Sequence, residues 1–239
     1  MAKYKGFQLP PLITGTLIKR YKRFLADVKL ETGQTVTAHC PNSGSMKGCA
    51  IPGSQVWLSE SDNPKRKYKY TWELIKVPGT MIGINTLVPN KLVKQSIENG
   101  LIQELSGYNR VKAEVKTSSH TRLDLLLENE DSQKCYVEIK NCTLVEEGIA
   151  MFPDAVTTRG QKHLEELEHL VSQGHRGVIF YLIQRMDARG FKPADMIDKI
   201  YAQKLKKAVK NGVEIITRDT RINTQVIKVR NALPVYLEG

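Results

Sequence analysis

The 239-residue chain predicts two folds in series: a small all-β barrel over residues 1–80 and a layered α/β domain with a mixed central sheet over residues 81–239. Three observations predict this. Between residues 10 and 80, short runs rich in Val, Leu, Ile, Thr and aromatics are cut by turn residues and show no helical period. From Asn90 onward, apolar residues recur at the spacing of a helix face. Farther on, strand-like and helix-like runs alternate, and one of them, Val178-Ile179-Phe180-Tyr181-Leu182-Ile183, is unbroken in the manner of a strand buried on both faces.

In chain order, the predicted strands of the first domain are Leu12–Lys19, Phe24–Leu30, Gln34–Ala38, Gln55–Ser59 and Thr71–Val77. Gly33, Gly44, Gly48, Pro52-Gly53, Asn63-Pro64 and Pro78-Gly79 separate them. Five short strands suit a barrel of the oligonucleotide-binding (OB) type, and a small sandwich or an SH3-like barrel fits the same count. A helix then follows, with Asn90 as its N-cap and Leu92, Val93, Ile97, Leu101, Ile102 and Leu105 on one face. Val111–Lys116, Leu123–Glu128 and Lys134–Lys140 read as strands. Thr157–Val171 reads as a helix with Leu164, Leu167, Leu170 and Val171 inward and Gly174 placed to end it. The strand Gly177–Gln184, a helix over residues 194–210 and strands at Val213–Arg218 and Gln225–Val229 complete the chain. The order α-β-β-β-α-β, then α-β-β, is that of a sheet layered with helices rather than a bundle.

The chain carries 36 Lys+Arg against 25 Asp+Glu, a net charge of +11. The surplus is uneven: residues 1–80 hold 13 Lys/Arg and 5 Asp/Glu, and the remainder holds 23 and 20. A basic first domain on a near-balanced second one suggests a polyanionic partner gripped mainly by the barrel. No apolar run spans a bilayer, and Met1-Ala2-Lys3-Tyr4-Lys5-Gly6-Phe7 is not a signal peptide, so a cytoplasmic protein with no membrane partner is expected. Cys40, Cys49, Cys135 and Cys142 include no Cys-x-x-Cys pair, which argues against structural zinc and for reduced thiols.

The chemistry centres on Thr121-Arg122-Leu123-Asp124 and Tyr136-Val137-Glu138-Ile139-Lys140. Alternation along a strand puts Glu138 and Lys140 on one face and Val137 and Ile139 on the other. Asp124 interrupts an apolar run, where a charge is costly to bury without a partner. If it lies on the neighbouring strand, two carboxylates and an ammonium converge. Such a set holds a hard divalent cation, Mg²⁺ or Mn²⁺, with Asp124 and Glu138 as ligands and Lys140 set to offset charge on a phosphodiester. The element order with Asp on the second strand and Glu-x-Lys on the third resembles the restriction-endonuclease-like, or PD-(D/E)xK, superfamily over residues 90–184. That resemblance implies a metal-dependent phosphodiesterase site at Asp124, Glu138 and Lys140. It also implies a third carboxylate from the first helix, for which Glu98 and Glu104 are the candidates. Gln161 is followed by Glu165, so the Gln-x-x-x-Tyr of some exonucleases in that superfamily is missing.

Two stretches interleave cations with aromatics. Lys19-Arg20-Tyr21-Lys22-Arg23-Phe24 is one, and Lys65-Arg66-Lys67-Tyr68-Lys69-Tyr70-Thr71-Trp72 is the denser. Cations contact phosphates and release counterions, and aromatics stack on bases. The alternation of Lys67 and Lys69 with Tyr68 and Tyr70 also fits a strand with one exposed and one packed face. Farther on, Arg159, Gln161 and Lys162 stand at the start of a helix, where backbone N–H groups and cations can meet a phosphate backbone. His163 reads as a surface residue of that helix, Asp154 as a turn or helix cap, and Cys40–Met46 as a polar loop.

These motifs together, with Cys40-Pro41-Asn42-Ser43-Gly44-Ser45-Met46, Ser119–Leu127, Val137-Glu138-Ile139-Lys140 and residues 152–164, resemble the sugar fermentation stimulation protein A family nearly end to end. The resemblance implies an OB-like domain followed by a nuclease-like domain, non-specific DNA binding through the backbone, and transcription regulation linked to sugar (maltose) metabolism. RNA binding or processing is the alternative for the partner, and an active nuclease the alternative for the function. Oligomeric state is not encoded in any motif.

Overall fold

In the computed structural model, residues 4–119, 121–131 and 133–237 are described. The first sheet holds six strands in the order β4-β3-β2-β5-β6-β7: β2 (Leu12–Tyr21), β3 (Leu25–Leu30), β4 (Thr35–His39), β5 (Gln55–Glu60), β6 (Tyr70–Val77) and β7 (Thr80–Gly83). A parallel pairing of Ala38 with Tyr70 and of His39 with Thr71 joins β4 to β6 and closes β2–β6 into a five-stranded barrel. Closure leaves these strands no open edges. Its interior is apolar, around Leu17, Val28, Val56, Leu58, Ile75 and the fully buried Trp72. The indole N–H of Trp72 donates to the Leu74 carbonyl at 2.9 Å, so this large ring is buried without an orphan donor.

The second sheet is mixed and seven-stranded, ordered β1-β16-β15-β13-β10-β9-β8. Its strands are β1 (Phe7–Gln8), β8 (Arg110–Lys116), β9 (Arg122–Glu128), β10 (Lys134–Cys142), β13 (Arg176–Ile183), β15 (Glu214–Ile222) and β16 (Val226–Ala232). β10 is central, parallel to β13 on one side and antiparallel to β9 on the other. Helix α1 (Val88–Glu98) covers one face. Helices α2 (Thr158–Ser172) and α3 (Lys199–Lys210) cover the other. A third sheet, β11 (Leu144–Glu146), β12 (Ile149–Phe152) and β14 (Gly190–Pro193), projects beyond the end of β10.

The sequence reading found the three helices and the long strands but missed the short strands β1, β7, β11, β12 and β14. It ran the first helix on to Leu105, whereas α1 ends at Glu98 and Leu105 lies in a separate short turn, and it began the last at residue 194 rather than Lys199. β7 extends the first sheet past residue 80, to Gly83. The β1 segment belongs to the second sheet: it pairs with β16, and Phe7 and Leu9 pack into the cluster beneath α1. The edge strand β16 thereby gains a partner. Helix α1 starts at Val88, earlier than expected, because Pro89 occupies its first turn and Asn85 accepts from the Leu87 N–H at 3.0 Å; Asn90 lies inside the helix. Residues 61–69 form a loop, and strand β6 begins only at Tyr70, so Lys67 and Tyr68 do not alternate on a strand.

The barrel is not loosely tethered. Trp57 and Leu74, on its outer side, join the core cluster formed by α1 and the second sheet. Polar groups seal the rest of the seam. Buried Glu73 accepts from Ser59 at 2.7 Å and from Asn85 at 2.8 Å, and the Gly83 N–H donates to the Gln184 carbonyl at 3.0 Å. Gly83 is required there, since a Cβ would stand 2.4 Å from the Gln184 side-chain oxygen.

Asp198 is the polar pin of the α2–α3 layer. It caps α3 by accepting from the Tyr201 N–H at 2.9 Å, and it also accepts from the Thr157 N–H and, through both oxygens, from the Gln161 amide. An Asp198→Ala substitution is expected to cost about 2 kcal/mol, the upper end for a lost helix cap, because two backbone donors lose their acceptor together. Urea unfolding followed by far-UV circular dichroism measures it; a midpoint equal to that of the unsubstituted protein would show that the cap contributes nothing.

Candidate functional site: a carboxylate pair beside an interdomain cleft

Asp124 and Glu138 meet where β9 and β10 begin to part. The last ladder pair between these strands is Val137 with Leu125. One residue on, the Asp124 carboxylate takes the place of the ladder and accepts the Ile139 N–H at 2.7 Å. Its other oxygen accepts from the Asn90 amide of α1 at 2.7 Å. The inward–outward alternation of β9 also slips here, since Leu125 and Leu127 belong to one core cluster while Leu123 and Leu126 both belong to the other. Glu114, on the adjoining strand, has a positive φ of 55° and interrupts the β8–β9 ladder opposite Asp124.

Glu138 is 3% exposed, in the centre of the sheet. One carboxylate oxygen accepts from Lys140 at 2.7 Å and from His163 of α2. The other, Oε2, is buried with no hydrogen-bond partner. Arg159 donates its Nε–H to His163 Nε2 at 3.3 Å, which leaves the imidazole proton on Nδ1, facing Glu138. The electrostatics divide the pair. Burial raises the Glu138 carboxyl, but Lys140 and His163 outweigh it and the net displacement is downward. Burial, and next the charge of Glu138, push Asp124 up to about 7 against the opposing pull of the Ile139 N–H, Lys140 and Asn90. A carboxylate that raises its neighbour's proton affinity and itself carries an orphan oxygen belongs to a set that a cation would complete.

Lys140 opens onto a cleft of about 460 Å³ between the barrel and the second domain, walled by Arg23, Asn42, Thr86, Asn90, Phe152 and Asp154 among others. Asp124 faces a second, smaller hollow that shares Thr86 and Asn90 with it.

The expected residues therefore separate into groups. Lys140 bonds Glu138, and both stand near enough for their charges to act on Asp124, whose direct partners are Asn90 and the Ile139 N–H. Glu104 does not join them: its carboxylate accepts from the Arg218 guanidinium, which holds its pKa below the usual value, so it is no metal ligand. Glu98 pairs with Lys94 on the surface of α1 at 2.5 Å. Among the described residues no group of three His, Cys, Asp or Glu side chains has the arrangement of a metal centre, so the set is a carboxylate pair rather than a triad.

Of the expected nucleic-acid contacts, Gln161 is buried on Asp198 and Arg20 is spent on the carbonyls of Arg23, Asn42 and Gly44. Neither is free to bind a phosphate. Lys69 is paired with Glu60, and Lys19 stands 3.9 Å from Asp27. Lys22 and Arg23 form the tip of the β2–β3 hairpin, both at positive φ, and with Lys65, Arg66, Lys67, Arg159 and Lys162 they are exposed. Cys40 and Cys49 are buried and burial pushes both thiols up, Cys49 to about 12, so neither is a ready thiolate ligand. Sequence reasoning missed Asn90 as a partner of Asp124, and it placed His163 on the surface. A clue to His163 exists: it falls three residues from Gly160 and one before Leu164, on the apolar side of α2.

A closed OB-type barrel joined to a restriction-endonuclease-like sheet, with Asp on one central strand and Glu-x-Lys on the next, defines a two-domain protein of nuclease-like fold. The chain belongs to the sugar fermentation stimulation protein family: the models of its N-terminal OB domain and of its RE domain match residues 18–84 and 87–226. It is 57% identical to the sugar fermentation stimulation protein homolog of Geotalea uraniireducens over 96% of this chain and 100% of that protein. It is 56% identical to the homolog of Geobacter sulfurreducens, covering 94% and 96%. The structure of Pyrococcus furiosus SfsA in complex with Ca²⁺ superposes with a TM-score of 0.88 at 28% identity, over 98% of this chain and 100% of that one. Among the described residues, no helix is long and apolar enough to cross a membrane.

The raised Asp124 pKa makes a stability prediction. In chelator, folded Asp124 keeps its proton up to about pH 7, whereas an unfolded Asp releases it near about 3.9. Between those values the folded chain binds more protons, so stability falls as pH rises. Asp124→Asn removes this contribution. Urea midpoints measured in EDTA across this range should decline more steeply for the unsubstituted protein than for the variant; parallel declines would refute the burial-and-repulsion account.

Proposed function

We propose that this chain is a DNA-binding protein of the cytoplasm whose Asp124–Glu138–Lys140 site holds Mg²⁺ or Mn²⁺ and hydrolyses phosphodiesters. The observation that carries the reading is the buried, unpartnered Oε2 of Glu138 beside a carboxylate whose proton affinity that same group raises. An isolated pair of this kind is costly without a cation, and two carboxylates suffice for a metal that keeps several waters. The related Pyrococcus furiosus protein has been solved in complex with Ca²⁺, another hard cation that takes oxygen ligands. When bound, such an ion lowers the pKa of a coordinated water and polarises the phosphoryl oxygens.

The chain's own residues do the remainder. Asn90 and the Ile139 N–H orient Asp124. His163 and Lys140 hold one oxygen of Glu138 and leave the other without a hydrogen bond. Lys140, at the cleft wall, is placed to offset charge on a scissile phosphate. The exposed cations of the barrel and of the α2 start grip the backbone without reading bases.

A second reading has its own support. Lys140 and His163 both engage one Glu138 oxygen, an arrangement that also neutralises the site internally. In that reading the protein binds DNA as a regulator of sugar metabolism and retains the nuclease fold without turnover.

Two outcomes are expected. Asp124→Ala should reduce Mn²⁺-dependent cleavage of labelled DNA by about two orders of magnitude or more while DNA retention in gel shifts stays near that of the unsubstituted protein; undiminished cleavage would exclude this site. Replacing Lys65, Arg66 and Lys67 with Gln should lower the slope of log K against log salt by about one for each phosphate that these cations no longer neutralise. An unchanged slope would move the binding face elsewhere.

A further inference from the structure

We propose that the interdomain cleft accepts a single strand of DNA and excludes duplex, and that the loop from Pro41 to Met46 is the strap that enforces this choice. The inference rests on the reading of Asp124, Glu138 and Lys140 as a phosphodiester site and adds its substrate form.

The strap is tied at both ends to residues that line the cleft. At one end the Thr86 hydroxyl, a wall residue just before α1, donates to the Pro41 carbonyl at 2.5 Å. At the other, the Met46 N–H donates to the carboxylate of Asp154, another lining residue, at 3.0 Å. Between these anchors Asn42, Ser43 and Gly44 line the cleft. Just beyond, Lys47 pairs with Glu146 of β11 at 2.7 Å.

The strap is also stiff. The Arg20 guanidinium donates to the carbonyls of Asn42 and Gly44, both at 2.9 Å, and the Gly44 N–H donates to the Asn42 side chain at 2.9 Å. Gly44 lies directly on Asp154: a Cβ would stand 2.5 Å from a carboxylate oxygen, so the contact admits no side chain. Arg20 and Asp154, idle in any direct account of DNA binding or metal ligation, thus share one task.

Size then decides the substrate. The space of about 460 Å³ beneath the strap falls in the range that accommodates one small ligand, roughly 300–1,000 Å³. One nucleotide fits there. A duplex, whose major groove alone is about 12 Å wide, does not pass under a loop pinned at both ends. Enzymes that take one nucleotide into an enclosed pocket act on single strands or on extruded residues. A threaded strand meets Lys140 and Arg23 as cations and the half-buried Phe152 as a ring surface.

The full chain is incubated in Mn²⁺ with a labelled oligonucleotide presented as a single strand, as a blunt duplex and as a duplex with a single-stranded tail. The single strand and the tail should be cut, and the blunt duplex spared by about tenfold or more. Ser43→Trp, which fills the cleft from the exposed middle of the strap, should abolish cutting at an unchanged melting temperature. Blunt duplex cut as fast as single strand, or full activity in Ser43→Trp, overturns the proposal. A binding arm separates its failure from that of the hydrolytic reading. The four native thiols are buried, so a fluorophore on Ser43→Cys reports the strap alone. If no DNA is cut yet single strand, and not duplex, changes its emission in Ca²⁺, the strap inference stands and hydrolysis falls. Emission that responds equally to both forms, or to neither, overturns the strap.

Discussion

A carboxylate in the middle of a central strand cannot be buried without compensation, and the surroundings of Glu138 are arranged around that cost. β10 is flanked on both sides by strands and covered on both faces by apolar layers. The ammonium of Lys140, two residues along the same face, and the imidazole of His163, from the helix packed over that face, supply compensation to one oxygen. The second oxygen is left without a partner, and Asp124 is left holding a proton up to about pH 7. Energetically this is a weak point of the fold, and it is the feature on which the proposed cation site rests.

That preparation depends on a local irregularity. Strands β9 and β10 stop pairing at Leu125 and Val137, and the Asp124 side chain finishes the ladder by taking the Ile139 N–H. An apolar side chain there would leave the N–H unsatisfied in a dry setting. Asp124 therefore has a structural duty as well as a chemical one, and the slip in β9 that turns it toward α1 brings Asn90 within reach.

The barrel contributes more than charge. Trp57 and Leu74 make it continuous with the core under α1, and the Glu73–Asn85 bond and the bond from the Gly83 N–H to the Gln184 carbonyl fix its orientation. A rigid joint is what allows a loop of one domain to act as part of the other's site. The cations that were conspicuous in the sequence are divided by this joint: Arg20 is absorbed into holding the loop, while Lys65, Arg66 and Lys67 stay in solvent.

Much of this was legible in order of sequence range. Strand runs, turn residues and helix faces depend on neighbours a few positions away, so the barrel strands, α2, β13 and the Glu138–Lys140 face were recoverable from period and composition alone. The Asp124–Glu138 pairing was recoverable because consecutive strands of a meander tend to be adjacent. The sequence by itself thus determined the longer elements, their order along the chain and the two carboxylates as candidates. Only the tertiary structure decided the rest: that Glu104 belongs to Arg218, Gln161 to Asp198 and Asp154 to Met46, and that His163 faces Glu138 rather than water. Those partners lie 25 to 114 positions apart. Which distant donor reaches a given carboxylate depends on how whole layers stack and where strands part, and no local pattern of side chains carries that information.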